Sequence, residues 1–368
     1  MSDPDHKHIN YLEYARTRMA GSKYLLAGSG IPTIPLEEFD LDLNELTSTL
    51  DLKSTTYGRI EVLESLSDYY DIPVDNILPT LGTSQGIFHL MAALLEPGDE
   101  VIVEHPYYES LAKVPQFLGG HVKFLRRRLE NNWHIDLEEI KSLLSPKTKV
   151  ICLSSLHNPT GVFIPEKTLS ALSELAYSVN AEILIDEVYL DMMLDCPLPR
   201  RGCQIADNIT SIGSFTKCWG LGPNRTGWIF ARPEIIRTCG FFSNFDNVQP
   251  PYLSDAFLVA CLKRKDQLNA IMHSTIEQNM PILQQWAQTN PDLPYVPPDG
   301  GLMFFFKLPA GMSSQQLLQL CLEKYDTSFS PGSFFDANDF IRLAGGTDRD
   351  NLQSGLARIT AAITDLRQ

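Results

Sequence analysis

Lys217 follows the apolar run ITSIGS (209–214) in a stretch of small and aromatic residues, SFTKCWG, that holds no acid to pair with it. A lysine desolvated at a strand's end has a lowered pKa and becomes a nucleophile for Schiff-base chemistry. Taken alone it reads as an ordinary surface lysine. Ser214 lies three residues before it and Arg225 eight after it, a hydroxyl and a guanidinium fork that together can grip a phosphate. Thr83 and Ser84, in LGTSQG (81–86), precede a run with helical spacing. In a helix's first turn the free N–H groups and the dipole favour the same anion. Asp186 ends the run ILID, Tyr189 follows three residues on, and Asn158 stands in HNPTG after another apolar run. Groups at the C-terminal ends of strands sit where open α/β sheets bind ligands. Each also has a plainer role, as a capping acid, a packed phenol or a turn amide.

The elements that would position these groups alternate between two periods. VIVE (101–104), KVICLSS (149–155), AEILID (181–186), ITSIGS (209–214) and GWIFA (227–231) read as buried strands. SQGIFHLMAALL, with Ile87, Leu90, Met91 and Leu94 on one face, and EKTLSALSELAYSV (166–179) read as helices. Strands alternating with helices make βαβ crossovers and a mostly parallel sheet covered on both faces. Beyond residue 262 a polar helical stretch, the turn YVPPDGG, the strand LMFFFKL, a helix around SQQLLQLCLEK, the strand FIRLA and a terminal helix suggest a smaller α+β domain. The division expected is a large domain over 46–262, and a small one from 1–45 and 263–368.

Composition bounds the function. The 30 basic and 45 acidic residues give a net charge of −15, spread along the chain. Such a surface repels phosphate backbones and anionic lipid, so neither nucleic acid nor membrane is an expected partner, although a local basic pocket can still hold a small anion. The seven cysteines (152, 196, 203, 218, 239, 261 and 321) show no CxxC and no zinc-ligand spacing. They read as reduced thiols of a cytoplasmic protein, with no metal site expected. The polar N-terminus lacks the apolar core of a signal peptide, and no apolar run is long enough to span a bilayer.

In order, NPTG, the acid-x-x-Tyr of DEVY, the S-x-x-K segment and the Arg eight residues later resemble the class I/II aminotransferases, fold-type I enzymes that use pyridoxal 5′-phosphate (PLP). The resemblance runs from about residue 55 to 345. It implies an α/β fold with a seven-stranded, mostly parallel sheet and a smaller α+β domain, working as a homodimer. It implies that Lys217 holds PLP covalently and shuttles a proton, and that Asp186 keeps the pyridine nitrogen protonated so that the ring accepts electrons. Tyr189 and Asn158 would bond the ring's phenolic oxygen, Tyr108 in HPYYES would stack on the ring, and Thr83, Ser84, Ser214 and Arg225 would bind the phosphate. Arg342 in FIRLAGG would clamp the substrate's α-carboxylate and so orient its Cα–H bond. Gly28, Ser29 and Gly30 fall where the family has a pocket-lining glycine; Gly30 is the one taken as substrate-binding, with Asn158 and Arg342.

The sequence departs from the family in the loop that supplies a Tyr to the partner's phosphate. Aligning Gly58 and VLESL with the family's Gly and helix puts Lys53 there, with Tyr57 available if the loop is shorter; Leu63 stands where Arg is usual. Transamination of an amino acid with a 2-oxo acid is the first expectation. The segment AGSGIP resembles the serine-glycine stretch of the arginine-cyclising capreomycidine synthases, so elimination, replacement or ring closure on an amino acid is the second. A catalytically dead PLP-sensing protein is the third, opposed by every core cofactor position being filled. Tyr24, Tyr108 and Phe335 are pocket candidates by position, with packing the simpler role for Tyr24 and Phe335.

Overall fold

Strand-period alternation accounts for the main layer. The computed structural model describes residues 8–17, 21–35, 44, 46, 54–55, 58–194 and 198–367. Seven strands, β1 (Ile77–Thr80), β2 (Glu100–His105), β3 (His121–Arg126), β4 (Thr148–Ser154), β5 (Glu182–Asp186), β6 (Ile209–Gly213) and β7 (Gly227–Phe230), form one sheet in the order β1-β7-β6-β5-β4-β2-β3. Neighbours from β3 through β6 pair parallel, while β7 runs antiparallel to both β6 and β1. Successive side chains point to opposite faces, so each strand feeds two cores. Val101, Val103, Val150, Cys152 and Leu184 pack under helices Thr83–Leu94 and Pro233–Ser243. Ile102, Ile151, Leu153, Ile183 and Ile185 pack under helix Glu166–Tyr177. The apolar runs are near-continuous because both faces are covered.

Topology delivers the polar groups to one edge. Six strands share a direction, so Thr80, His105, Ser154, Asp186 and Gly213 all end there, and the loops carrying Thr83, Tyr108, Asn158 and Lys217 leave from it. The reversed strand β7 begins at that edge. Gly227 lies opposite Thr80, and Arg225, two residues earlier, arrives beside the same loops. Strands β1 and β3 were not read from sequence as separate runs: β1 carries Pro79, and the alternation of HVKFLR reflects its place at the sheet's edge.

A second sheet holds the rest of the site. Strands β8 (Met303–Lys307), β9 (Ser330–Pro331) and β10 (Phe340–Ala344) pair antiparallel in the order β8-β10-β9. One face, with Phe304, Phe306, Ile341 and Leu343, packs on helices Ser314–Tyr325 and Arg349–Asp365. The other carries Phe305 and Phe340, packed with Trp133, Val162 and Phe335 from outside the sheet. Arg342 alternates onto that second face. Helix Lys265–Thr289 joins both layers, burying Leu268, Met272 and Ile276 in the large core and Leu283, Trp286 and Ala287 in the small one. Residues 24–26 pack with the small sheet's core, and Ile31 and Ile34 with the large one.

Leu283 is fully buried in the small core. Leu283→Ala leaves a cavity there and is expected to destabilise the protein by about 2–5 kcal/mol, read as a lowered midpoint in chemical denaturation.

Candidate active site

The phosphate end is built by two glycines. Gly82 precedes helix Thr83–Leu94 with φ 78° and ψ 174°, a conformation that L-residues with a Cβ rarely adopt. A Cβ on it would stand 2.5 Å from Arg225 Nη2, and a Cβ on Gly227 would stand 2.6 Å from the Cα of Gly82. Backbone therefore approaches backbone, and the guanidinium fills the space a side chain would take. Arg225 Nη2 donates to the Leu81 carbonyl at 3.1 Å and Nη1 to Gly222 at 3.3 Å. Thr83 and Ser84 line the cavity at the helix's open end. Ser214, read from sequence as a phosphate ligand, is turned inward: its hydroxyl donates to the Thr226 carbonyl at 2.6 Å and accepts from the Thr216 N–H at 3.0 Å. Thr216 lines the cavity, a residue the sequence reading passed over.

Deeper in the same cavity lie Lys217, Asp186, Tyr189, Asn158 and Tyr108. Asp186 is buried and accepts the Val188 N–H at 3.1 Å. Burial pushes its carboxyl up to about 6, against the pull of that N–H and of the Lys217 ammonium. Tyr189 shares a 2.7 Å hydrogen bond with the hydroxyl of Ser29. The backbone of Gly30 lies against that of Lys217: Ile31 N–H donates to the Lys217 carbonyl at 2.9 Å, and a Cβ on Gly30 would come within 2.7 Å of the Lys217 Cα. The Asn158 turn is braced from behind, its N–H donating to Ser154 Oγ at 3.1 Å while Ser154 donates to the buried Glu104. Glu104 in turn accepts from the buried Arg127 at 2.7 Å.

Arg342 lies behind the cavity-lining Asn158 and Tyr11 and has no exposed surface. Nη1 donates to Asn158 Oδ1 at 2.7 Å; Nη2 faces Ser330 Oγ at 2.9 Å, the Ala27 carbonyl at 3.0 Å and the Tyr11 phenol at 3.1 Å. The guanidinium lies over Phe335, 5.0 Å from its centroid, and Nε has no partner. Among the described residues no carboxylate pairs with it. Phe335 is thus a platform for the arginine, whereas Tyr24 packs under Arg358 in the small core. Lys53 and Tyr57 lie outside the described residues. Helix Asn10–Thr17 adds Tyr11, Leu12 and Arg16 to the wall. Tyr11 and Arg342 stand 331 residues apart, and only the buried pair Tyr11 and Tyr14, three apart on a polar helix, hinted that this segment packs inward.

The cavity measures about 420 Å³, within the range of small-molecule sites. Residues 32–359 match the family described as aminotransferase class I and II, and the chain belongs to that family. It is 26% identical to arginine–pyruvate transaminase AruH of Pseudomonas aeruginosa over 308 residues, 80% of this chain and 76% of the relative. It is 25% identical to capreomycidine synthase of Streptomyces vinaceus over 77% of this chain and 73% of the relative. A PLP-dependent aminotransferase from Streptococcus suis superposes with a TM-score of 0.90 at 24% identity, covering 97% of this chain and 98% of its own. The protein is a PLP-dependent enzyme of fold type I. Its residues fit the cofactor: a glycine cradle beside a guanidinium for the phosphate, an amine for the aldehyde, and a buried acid for the pyridine nitrogen.

The raised value at Asp186 has a stability consequence. The folded carboxyl holds its proton between about pH 4 and 6 where the unfolded one has lost it, so its ionisation above about pH 6 costs the cofactor-free fold roughly 2–3 kcal/mol. Cofactor-free Asp186→Asn is therefore expected to be more stable than the parent at neutral pH, with the difference vanishing toward about pH 4 in thermal unfolding.

Proposed function

We propose that the enzyme transfers the amino group of an amino acid to a 2-oxo acid. The observation that carries this reading is the meeting of Lys217, Asp186 and Asn158 in one cavity, with Asn158 bonded at 2.7 Å to a buried Arg342 that has no anionic partner among the described residues. Bound PLP supplies an aldehyde for the amino group and an electron-withdrawing ring. Arg225 and the helix end at Thr83 and Ser84 hold its phosphate, and Tyr108 packs against the ring. Asp186 presents a charge to the ring nitrogen; pairing there recovers what burying the carboxylate costs. Tyr189 and Asn158 donate to the ring oxygen, and Arg342 holds the α-carboxylate. With the α-carboxylate held, the Lys217 amine would be placed to take a proton from the substrate's Cα and to carry it. The cations Arg16, Lys217 and Arg225 on the cavity wall, with Arg342 behind it, outweigh the distant charge of −15.

A second reading is ring closure or elimination on an amino acid. It is supported by the relationship to capreomycidine synthase and by Ser29, whose hydroxyl reaches Tyr189 inside the site. Both readings use the same acid, amine and clamp, and they divide on whether the amino group stays with the cofactor. The division near residues 46 and 262 belongs to this proposal, as does a cytoplasmic setting; among the described residues no helix is long and apolar enough to cross a membrane.

A homodimer completes it. Phe241, Phe245, Val248 and Leu253 are 59–86% exposed, an apolar patch of the kind that marks interfaces. The patch adjoins the phosphate end, since Asp246 accepts from Gln85 Nε2 at 2.6 Å on the cradle's own helix.

Two expectations follow from the site and the patch. Lys217→Ala should lose the adduct that borohydride fixes to the parent, and a panel of amino acids should leave the parent in the pyridoxamine form with an oxo-acid product. Ammonia or a cyclised product with the aldehyde regenerated would favour the second reading. Phe245→Asp should shift the sedimenting species from dimer to monomer and weaken cofactor retention; an unshifted dimer would place the interface elsewhere.

A further inference from the structure

Tyr11 is held in the substrate half of the cavity by contacts from three directions. Its backbone N–H donates to Glu109 Oε2 at 2.8 Å, and Asn10 Nδ2 reaches Glu109 Oε1 at 3.3 Å. The buried carboxylate that follows the ring-packing Tyr108 thus caps helix Asn10–Thr17 from outside. The Tyr11 ring meets Tyr108 edge-on, centroids 6.2 Å apart at 85°, and touches Phe334 and Phe335. Its phenol oxygen accepts from Arg342 Nη2 at 3.1 Å. An oxygen that already holds a guanidinium hydrogen directs its own hydrogen elsewhere, and Tyr11 lines the cavity shared with Lys217 and Asn158. A carboxylate brought to Arg342 from that cavity meets the phenol as well.

We propose that Tyr11 is a second carboxylate-binding residue of the amino-acid site, donating its O–H to the carboxylate that Arg342 holds, so that substrate binds only the protonated phenol. The proposal rests on the reading of Arg342 as the carboxylate clamp. The ionisable groups facing Tyr11 are Arg342 on β10, Lys217 after β6, and Tyr108 and Glu109 after β2, with Arg16 on its own helix lining the same cavity. Burial alone would push the phenol up, but the charges of Arg342 and Lys217 bring it down to about 8. Above that value the empty site holds a phenolate, which pairs with Arg342 and repels an incoming carboxylate. A bound carboxylate reverses the balance and raises the phenol, so binding above about pH 8 takes up one proton. Affinity of the cofactor-free site for a carboxylate is then flat below about pH 8 and falls about tenfold per pH unit above it.

The test compares two reagents for the cofactor aldehyde in the holoenzyme, aminooxyacetate with a carboxylate and methoxyamine without one. The ratio of their second-order rates cancels every titration that both share. In the parent this ratio should fall about tenfold per unit once the phenol ionises, at a pH above the cofactor-free value because Lys217 is then joined to the cofactor; a parent ratio with the same pH profile as that of Tyr11→Phe overturns the proposal. Tyr11→Phe keeps the ring packing, and should lower the ratio about tenfold near pH 7 and remove its alkaline fall. In cofactor-free protein the same variant should lose one tyrosinate with a midpoint near 8 from the near-ultraviolet titration. Arg342→Lys separates the two ideas. A ratio that this variant leaves unchanged sinks the clamp itself, whereas a ratio lowered in Arg342→Lys but intact in Tyr11→Phe sinks only the role of the phenol.

Discussion

A guanidinium with no exposed surface, and with no carboxylate beside it among the described residues, is the constraint on which the rest of the site turns. Removing a charge from water costs several kcal/mol unless the surroundings replace its hydration. Here the replacement comes from four neutral oxygens, of Asn158, Ser330, Ala27 and Tyr11, and from the face of Phe335. Those oxygens belong to four separate segments of the chain. The arginine is comfortable only when β9, β10, the turn after β4, the residues near 27 and the first helix are all in place. One side chain thus ties the three-stranded sheet to the edge of the seven-stranded one.

The opposite end of the cavity solves a similar problem with less material. Arg225 is partly open to solvent, but the two glycines let its guanidinium lie over the start of a helix, where unsatisfied N–H groups already favour an anion. Between Arg225 and Arg342 stands Asp186, the only carboxylate among the described residues that line the cavity, buried against its preference. Two cationic ends and an acidic centre describe a ligand with an anion at each end and a cation in the middle.

Support behind the contacting residues is as ordered as the contacts. The ion pair of Glu104 and Arg127 touches nothing in the cavity, yet it fixes Ser154, which fixes the Asn158 backbone, whose side chain holds Arg342. Glu109 plays the same part for the first helix. Both acids follow or end β2, so a strand that supplies no cavity-lining atom of its own sets the geometry of two walls.

Sequence alone determined the βαβ alternation, because strand and helix periods are local, and its resemblance to the class I/II aminotransferases singled out Lys217, Asp186, Asn158 and Arg225 as cofactor-site candidates. It also marked Arg342 through its place in FIRLAGG. Tertiary structure decided what no offset encodes. Ser214 faces the backbone rather than the cavity because Thr226, carried back by the antiparallel β7, offers its hydroxyl a carbonyl. Tyr11 enters the site because Glu109 captures the helix that bears it, and Gly30 is needed because the chain there presses on the backbone of Lys217. Such contacts join residues from 12 to 187 apart. They depend on packing across the whole fold, and local periodicity holds no record of them.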